Sequence, residues 1–276
     1  MLTYVNNRLT SLFILLSIIA GLLIFCVGIV VLSLRFFLPD LFPGLFLRGM
    51  VMPQAAAVCF ILLSFSILCL HSDSLFCVYT RRICAVTAAV TGFITFIGYV
   101  PVSSSGNGRF IPVSVVPWAG FRAFGTMYAV TALNFLLCGF GLLLFQSTRQ
   151  KARGAGGLFL LANGIVALFA VVGYVLETPE LYNAVQDKSI ALYTAVSFIL
   201  VCPAALFSRR DSGLMAVFAS DTEGGFMARR LIFVCISLPF VLGWLVLMGE
   251  RRGYYGPSLG VFLLTILIIV IFTFLI

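Results

Sequence analysis

About eight long apolar runs constrain the fold of this chain more than any other feature. A helix needs about 20 residues, at 1.5 Å per residue, to cross about 30 Å of hydrocarbon. In lipid, every backbone polar group must be bonded within its own segment, so these runs are predicted to be helices. They lie at about 11–34, 52–70, 83–100, 127–145, 156–176, 190–207, 231–249 and 257–276.

The composition agrees with a chain that lies mostly inside a bilayer. Of its 276 residues, 62% are hydrophobic and 9% are charged, whereas soluble domains average about 25% charged residues. We therefore predict an all-α polytopic membrane protein of about eight transmembrane helices, forming a single integral membrane domain over residues 1–276. The net charge of +8 comes from short arginine-rich clusters between the runs, a pattern that argues against nucleic-acid binding.

The distribution of lysine and arginine predicts the orientation in the membrane. With the N-terminus inside, ten of the 17 basic residues fall in inner segments and seven in outer ones. Short segments rich in lysine and arginine stay on the cytoplasmic side. Both termini are therefore expected to be cytoplasmic.

A repeated element recurs in the second, fourth and sixth runs. Phe60, Phe135 and Phe198 each follow an alanine by three residues, and Thr131 and Thr194 precede that alanine in the last two copies. Two helices per copy predict three parallel hairpins, related by an axis along the membrane normal. Chance similarity between apolar helices is the alternative. The predicted copies span about 11–70, 83–145 and 156–207, and a terminal helix pair spans 231–276.

The sequence lacks the patterns that mark common catalytic and metal sites. It has no phosphate-binding loop and no zinc-protease motif, and its only histidine is His71. We therefore predict no catalytic residues, no metal and no cofactor, and expect that this chain is not an enzyme. Asn134 and Asn163 are the most polar residues well inside the runs, and interhelical hydrogen bonding is the simpler explanation for them.

A cluster of polar residues at the outer helix ends is the candidate ligand site. Paired carboxylates and guanidinium groups there would leave a polar funnel between the helices, although solvated loop charge is the alternative. The candidate residues are Arg122, Tyr174, Glu177, Glu250, Arg251 and Tyr254, with Glu180 nearby.

In the region after the sixth run, charged and turn-forming residues separate the apolar segments most clearly. Residues 208–228 form an amphipathic segment predicted to lie along the inner interface. Arginine pairs flank this segment and are expected to contact inner-face lipid: Arg209, Arg210, Arg229 and Arg230. Pro239 should kink the seventh helix, and with Gly243 and Trp244 it is the predicted route of signal transmission.

Two stretches in this region resemble a known family. They are RDSGLMAVFASDTEGGFMARRL, at 210–231, and LPFVLGWLVLMGERRGY, at 238–254. Both are similar to segments of the N-terminal integral-membrane sensor domains of bacterial sensor histidine kinases. In that family the last helix continues into cytoplasmic PAS and kinase modules, whereas this sequence stops at Ile276 without a phospho-acceptor histidine segment.

The resemblance implies a sensory input module of the two-component type in the bacterial inner membrane. Its implied partners are the lipid bilayer, a second copy in a homodimer, and kinase or other output modules in cis or in trans. A small-molecule transporter or channel is the alternative, and a membrane anchor or dimerisation module is a further one.

Overall fold

The computed structural model describes six helices and a few short pieces of the C-terminal region. The described residues are 7–37, 52–72, 74–97, 127–175 and 191–209, with 224–227, 244–245, 248–249, 252–253, 260, 262 and 265–267. The helices are α1 (Asn7–Phe37), α2 (Gln54–Leu68), α3 (Leu75–Ile97), α4 (Ala129–Phe145), α5 (Gln150–Val175) and α6 (Leu192–Leu206). A 3-10 turn, Cys69–His71, follows α2. These parts contain no strand.

Four of these helices are long and apolar enough to cross a membrane. The spans are Thr10–Phe37, Gln54–His71, Leu75–Ile97 and Gln150–Gly173. The other two helices, α4 and α6, are apolar but shorter, at 17 and 15 residues. The described parts are therefore all-helical, as predicted, with four candidate membrane-spanning helices, whereas most of the predicted seventh and eighth helices lies outside them.

The six helices form an inner and an outer set. The inner helices α2, α4 and α6 contact one another, and each outer helix packs against two of them: α1 against α2 and α6, α3 against α2 and α4, and α5 against α4 and α6. The outer helices also carry many exposed apolar side chains, such as Leu12, Ile83 and Leu158. Such a surface suits contact with lipid.

The inner helices begin in the same way. Each is preceded by a residue in extended conformation, Pro53, Tyr128 or Ala191. The carbonyl oxygen of that residue accepts the first helical hydrogen bond, from the N–H of the alanine in the repeated element. These bonds are Ala57 to Pro53 at 3.1 Å, Ala132 to Tyr128 at 2.9 Å and Ala195 to Ala191 at 3.0 Å. No side chain caps any of the three helices.

Three phenylalanines meet where the inner helices come together. The ring centroids of Phe60 and Phe135 are 4.8 Å apart, and both lie 4.7 Å from the ring centroid of Phe198. The rings are tilted or edge-on to one another, an arrangement that aromatic rings favour over face-to-face stacking. None of the three side chains is more than 1% exposed. We call these residues the Phe layer.

Small residues allow the outer and inner helices to approach closely. A Cβ atom added to Gly92 of α3 would lie 2.7 Å from the carbonyl oxygen of Ala132 in α4. A Cβ atom added to Gly139 of α4 would lie 2.7 Å from the carbonyl oxygen of Ala85 in α3. Since these neighbours are backbone atoms, α3 and α4 would have to move apart to accept even one methyl group. Membrane helices commonly pack through small residues in this way.

Candidate functional site

Four polar side chains are buried within one helical turn of the Phe layer. Thr131 and Asn134 lie on α4 beside Phe135, and Thr194 lies on α6 one turn before Phe198. On α5, Asn163 donates a hydrogen bond from its Nδ2 to the carbonyl oxygen of Phe198, at 3.3 Å. All four are at most 1% exposed. We call these four residues the core polar cluster.

The two threonines hold matching positions beside the Phe layer. Residues four apart on a helix share one face, so Thr131 lies on the same face as Phe135, and Thr194 on the same face as Phe198. The third inner helix, α2, carries Ala56 four residues before Phe60, and this alanine is also fully buried. Two hydroxyl groups and one methyl group therefore lie on the N-terminal side of the Phe layer.

Most polar atoms of this cluster have no hydrogen-bond partner. The unpartnered atoms are Thr131 Oγ1, Thr194 Oγ1, Asn163 Oδ1 and both Nδ2 and Oδ1 of Asn134. Leaving a buried polar group unpaired costs about 1–3 kcal/mol. Uncharged donors and acceptors of this kind can hold ordered water or a small uncharged molecule that offers both hydrogen-bond donors and acceptors.

The polar residues at the other ends of the inner helices form a second group, which we call the arginine cluster. Ser66 of α2 donates a hydrogen bond from its Oγ to the carbonyl oxygen of Arg81 of α3, at 2.8 Å. Gln146, which follows α4, donates from Nε2 to the Oγ of Ser66, at 3.5 Å. Arg81 is 4% exposed, and its Nε and Nη1 have no partner.

Sequence reasoning counted Arg81 only as a charge that keeps its segment on the inner side. A signal for its burial was nevertheless available. Cys84, Ala85 and Ala88 follow Arg81 at helical spacing and are small, and together they form the buried stripe of α3. The arginine begins that stripe, whereas its neighbour Arg82 is exposed.

Most of the site residues predicted from the sequence lie outside the described residues. The two that are described are Arg209, which is half-buried, and Trp244, which is 45% exposed. Tyr174 belongs to the described backbone of α5, but its side chain is not described. The predicted residues outside the described parts are Arg122, Glu177, Arg210, Arg229, Arg230, Pro239, Gly243, Glu250, Arg251 and Tyr254. Both the predicted outer ligand site and the predicted transmission route therefore stay predictions.

Within the described parts, no group of three or more His, Cys, Asp or Glu side chains could hold a metal ion. Searches with the whole chain found no matching protein-family model, curated protein or solved structure. The function of the chain must therefore be inferred from its own residues.

Proposed function

We propose that this chain is the membrane-embedded sensory input module of a two-component signal-transduction protein in the bacterial inner membrane. The observation that carries the proposal is the core polar cluster, whose unpartnered donors and acceptors are buried beside a closed layer of phenylalanines. Buried polar groups in membrane helices are costly and usually functional. A signal that changes the hydration or occupancy of this cluster would change how α4, α5 and α6 pack.

The proposed architecture has eight transmembrane helices, of which the first six form three hairpin repeats around one axis. The matching starts of α2, α4 and α6 and the Phe layer support the repeats. The residues three positions after each phenylalanine also support the repeats, because Leu63, Cys138 and Val201 are all fully buried. The terminal pair, 231–276, completes the proposed bundle and leaves both termini in the cytoplasm.

The contacts between successive hairpins give separate support for the repeats. Each pair of neighbouring hairpins meets through a small residue and a backbone oxygen at corresponding positions, with the small residue on the outer helix in two contacts and on the inner helix in the contact of α2 with α3. Ser17 Oγ donates to the carbonyl oxygen of Ala204, and Ser66 Oγ donates to the carbonyl oxygen of Arg81. A Cβ atom added to Gly156 would lie 2.7 Å from the carbonyl oxygen of Gly141. These contacts favour the proposed repeats over chance similarity of apolar helices.

The Phe layer favours sensing over transport. A transporter or channel needs a polar path, and a layer of rings at most 1% exposed offers none along the axis of the inner helices. Anchoring or dimerisation alone would not require unpartnered polar groups in the core, because apolar side chains of similar volume pack at lower cost.

Transmission is proposed to run through the seventh helix. Its kink at Pro239, with Gly243 and Trp244 nearby, would link an outer site around Glu250 and Arg251 to the cytoplasmic side. The inner arginine pairs would contact anionic lipid. A homodimer and cytoplasmic output modules, in cis or in trans, complete the proposed signalling unit. The chain itself is proposed to be non-enzymatic.

The proposal is tested with the chain joined at Ile276 to a reporter kinase domain. Asn134→Leu keeps the number and branching of the side-chain heavy atoms but removes both unpartnered amide atoms. Phe140→Leu, on the lipid-exposed face of the same helix, is the matched control. We expect Asn134→Leu to change basal kinase output or its response to osmotic and temperature shifts by several-fold, and Phe140→Leu to leave both unchanged.

Proteoliposome flux measurements on the unfused chain provide the contrasting result. Solute uptake by the wild type that is abolished by Asn134→Leu, with kinase output identical in all variants, would overturn the sensory proposal in favour of transport. Unchanged output together with absent uptake would leave anchoring as the function of the chain.

A further inference from the structure

We propose that the arginine cluster binds a phosphate-bearing anion at the end of the bundle where α2 and α4 finish and α3 begins. The central residue is Arg81, in the second turn of α3. Ser66, in the last turn of α2, donates to the carbonyl oxygen of Arg81, and Gln146, directly after α4, donates to the Oγ of Ser66. This inference concerns a site separate from the core polar cluster and does not depend on the sensory proposal.

The burial of Arg81 is the first observation. Its side chain is 4% exposed, and Nε and Nη1 are buried without a hydrogen-bond partner. Arginine stays protonated in proteins, so the cluster holds a desolvated positive charge. Burying an ion without a partner is unfavourable even after the surroundings relax.

The second observation is that no described residue supplies an acidic partner to Nε or Nη1 of Arg81. All nine Asp and Glu residues of the chain lie outside the described parts. Since Nε and Nη1 of Arg81 have no partner, no protein carboxylate pairs with those two atoms. The ends of α2 and α4 offer carbonyl oxygens at this end of the bundle, but the interaction of a helix C-terminus with a cation is weaker than the cost of burying an unpaired charge, even when the cation is partly buried. Since the described residues supply no counter-ion to Nε and Nη1 of Arg81, an anion from outside the chain is proposed to take that place.

The donors and acceptors of the cluster favour phosphate. Nε and Nη1 of an arginine together carry three N–H groups that donate to oxyanions. Gln146 contributes Oε1, a buried acceptor that also lacks a partner. An anion that offers both acceptor oxygens and a hydroxyl donor would satisfy both groups, and a singly protonated phosphate has both. The phosphate and hydroxyl groups of a phosphatidylglycerol headgroup offer the same combination.

The contacts between the other pairs of hairpins differ from the contact between α2 and α3. The positions that correspond to Arg81 are Ser17 and Gly156, and each is a small residue that lies against a backbone oxygen of the neighbouring hairpin. At the α4–α5 contact, Arg153 is only part-buried and donates to the carbonyl oxygen of Ser147, whereas Arg81 at the α2–α3 contact is 4% exposed, with Nε and Nη1 unpartnered. Its position near the helix ends allows an ion from the aqueous phase, or the headgroup of a lipid, to reach it.

The test compares Arg81→Gln with Arg82→Gln, which removes the same charge from an exposed neighbour. Thermal unfolding of the detergent-purified chain is followed in phosphate and in chloride at equal ionic strength. We expect phosphate to raise the Tm of the wild type and of Arg82→Gln by roughly 2–4 °C, and to leave that of Arg81→Gln unchanged. Native mass spectrometry after reconstitution in phosphatidylglycerol or phosphatidylcholine nanodiscs gives the second arm, in which retained phosphatidylglycerol is lost only in Arg81→Gln.

The two arms distinguish the source of the anion. A phosphate-dependent rise in Tm without a retained lipid identifies a soluble anion, and retained phosphatidylglycerol without such a rise identifies a headgroup. If Arg81→Gln does not fold, Arg81→Lys replaces it, because lysine keeps the charge but loses the planar set of donors, and a smaller effect is expected. The proposal is overturned if the wild type shows neither effect, or if an effect is equal in the Arg81 and Arg82 variants.

Discussion

Truncating one ring of the Phe layer should be among the most destabilising single changes in this protein. Phe135→Ala removes a fully buried ring that contacts two others at 4.7–4.8 Å. A residual cavity of about 100 Å³, at about 24 cal/mol per Å³, costs about 2.4 kcal/mol. The two ring contacts contribute about 0.5–1.5 kcal/mol each. The expected loss in the free energy of unfolding is therefore about 3–5 kcal/mol. Transfer to lipid does not add to this value, because lipid is as apolar as the core.

The loss is measured by titrating the chain from a mild detergent into a denaturing one and following intrinsic tryptophan fluorescence. Phe169→Ala is the control, because that ring is 58% exposed on the outer helix α5 and should cost less than about 1 kcal/mol. Phe60→Ala and Phe198→Ala should resemble Phe135→Ala, because the three rings have near-equal contacts. A loss below about 1 kcal/mol for Phe135→Ala, or losses that differ widely among the three variants, would refute this reasoning.

Three further predictions concern packing, burial and topology. Gly139→Ala should lower the free energy of unfolding by about 1–3 kcal/mol, because the new methyl group meets α3 at 2.7 Å. Gly154→Ala, with nothing within 4 Å, should leave it unchanged or raise it by up to about 1 kcal/mol. Asn134→Leu should raise it by about 1 kcal/mol, since the amide has no partner, and a loss in the same assay would show that bound water satisfies it. On a cysteine-free background, Ala216→Cys should react with a membrane-impermeant thiol reagent only from the cytoplasmic side, and Gly106→Cys only from outside; the reverse pattern would invert the topology.

Apolar run length predicted each described helix, although α3 and α5 begin at Leu75 and Gln150, ahead of the predicted runs 83–100 and 156–176, because their first turns include basic residues that the runs left out. The bounds of the inner helices were predicted more closely. For example, the predicted run 127–145 corresponds to α4 at Ala129–Phe145, and 190–207 to α6 at Leu192–Leu206. These boundaries agree because a helix in lipid must satisfy its own backbone and can end only where polar or turn-forming residues appear. The spacing of alanine and phenylalanine also pointed to Phe60, Phe135 and Phe198 as a related set, and the structure brings those rings together.

The polar sites could not be predicted to the same extent. Whether Asn134 or Arg81 is buried depends on which helices pack against it, and run length carries no information about neighbours. Interhelical hydrogen bonding was the simpler explanation for both asparagines. Nδ2 of Asn163 does make such a bond, but neither amide atom of Asn134 has a hydrogen-bond partner. Run length treats Arg81 and Arg82 alike, and only the stripe of small residues at helical spacing, which begins at Arg81, separates the buried arginine from its exposed neighbour.

The most direct test of the proposed three-hairpin architecture is a cryo-electron-microscopy structure of the chain in lipid nanodiscs, with a bound antibody fragment to aid alignment. The measurement is the set of three distances between the ring centroids of Phe60, Phe135 and Phe198. The account predicts that all three lie near the 4.7–4.8 Å described above, at one membrane depth and around one axis. Rings at different depths, or on faces that point away from one another, would contradict it.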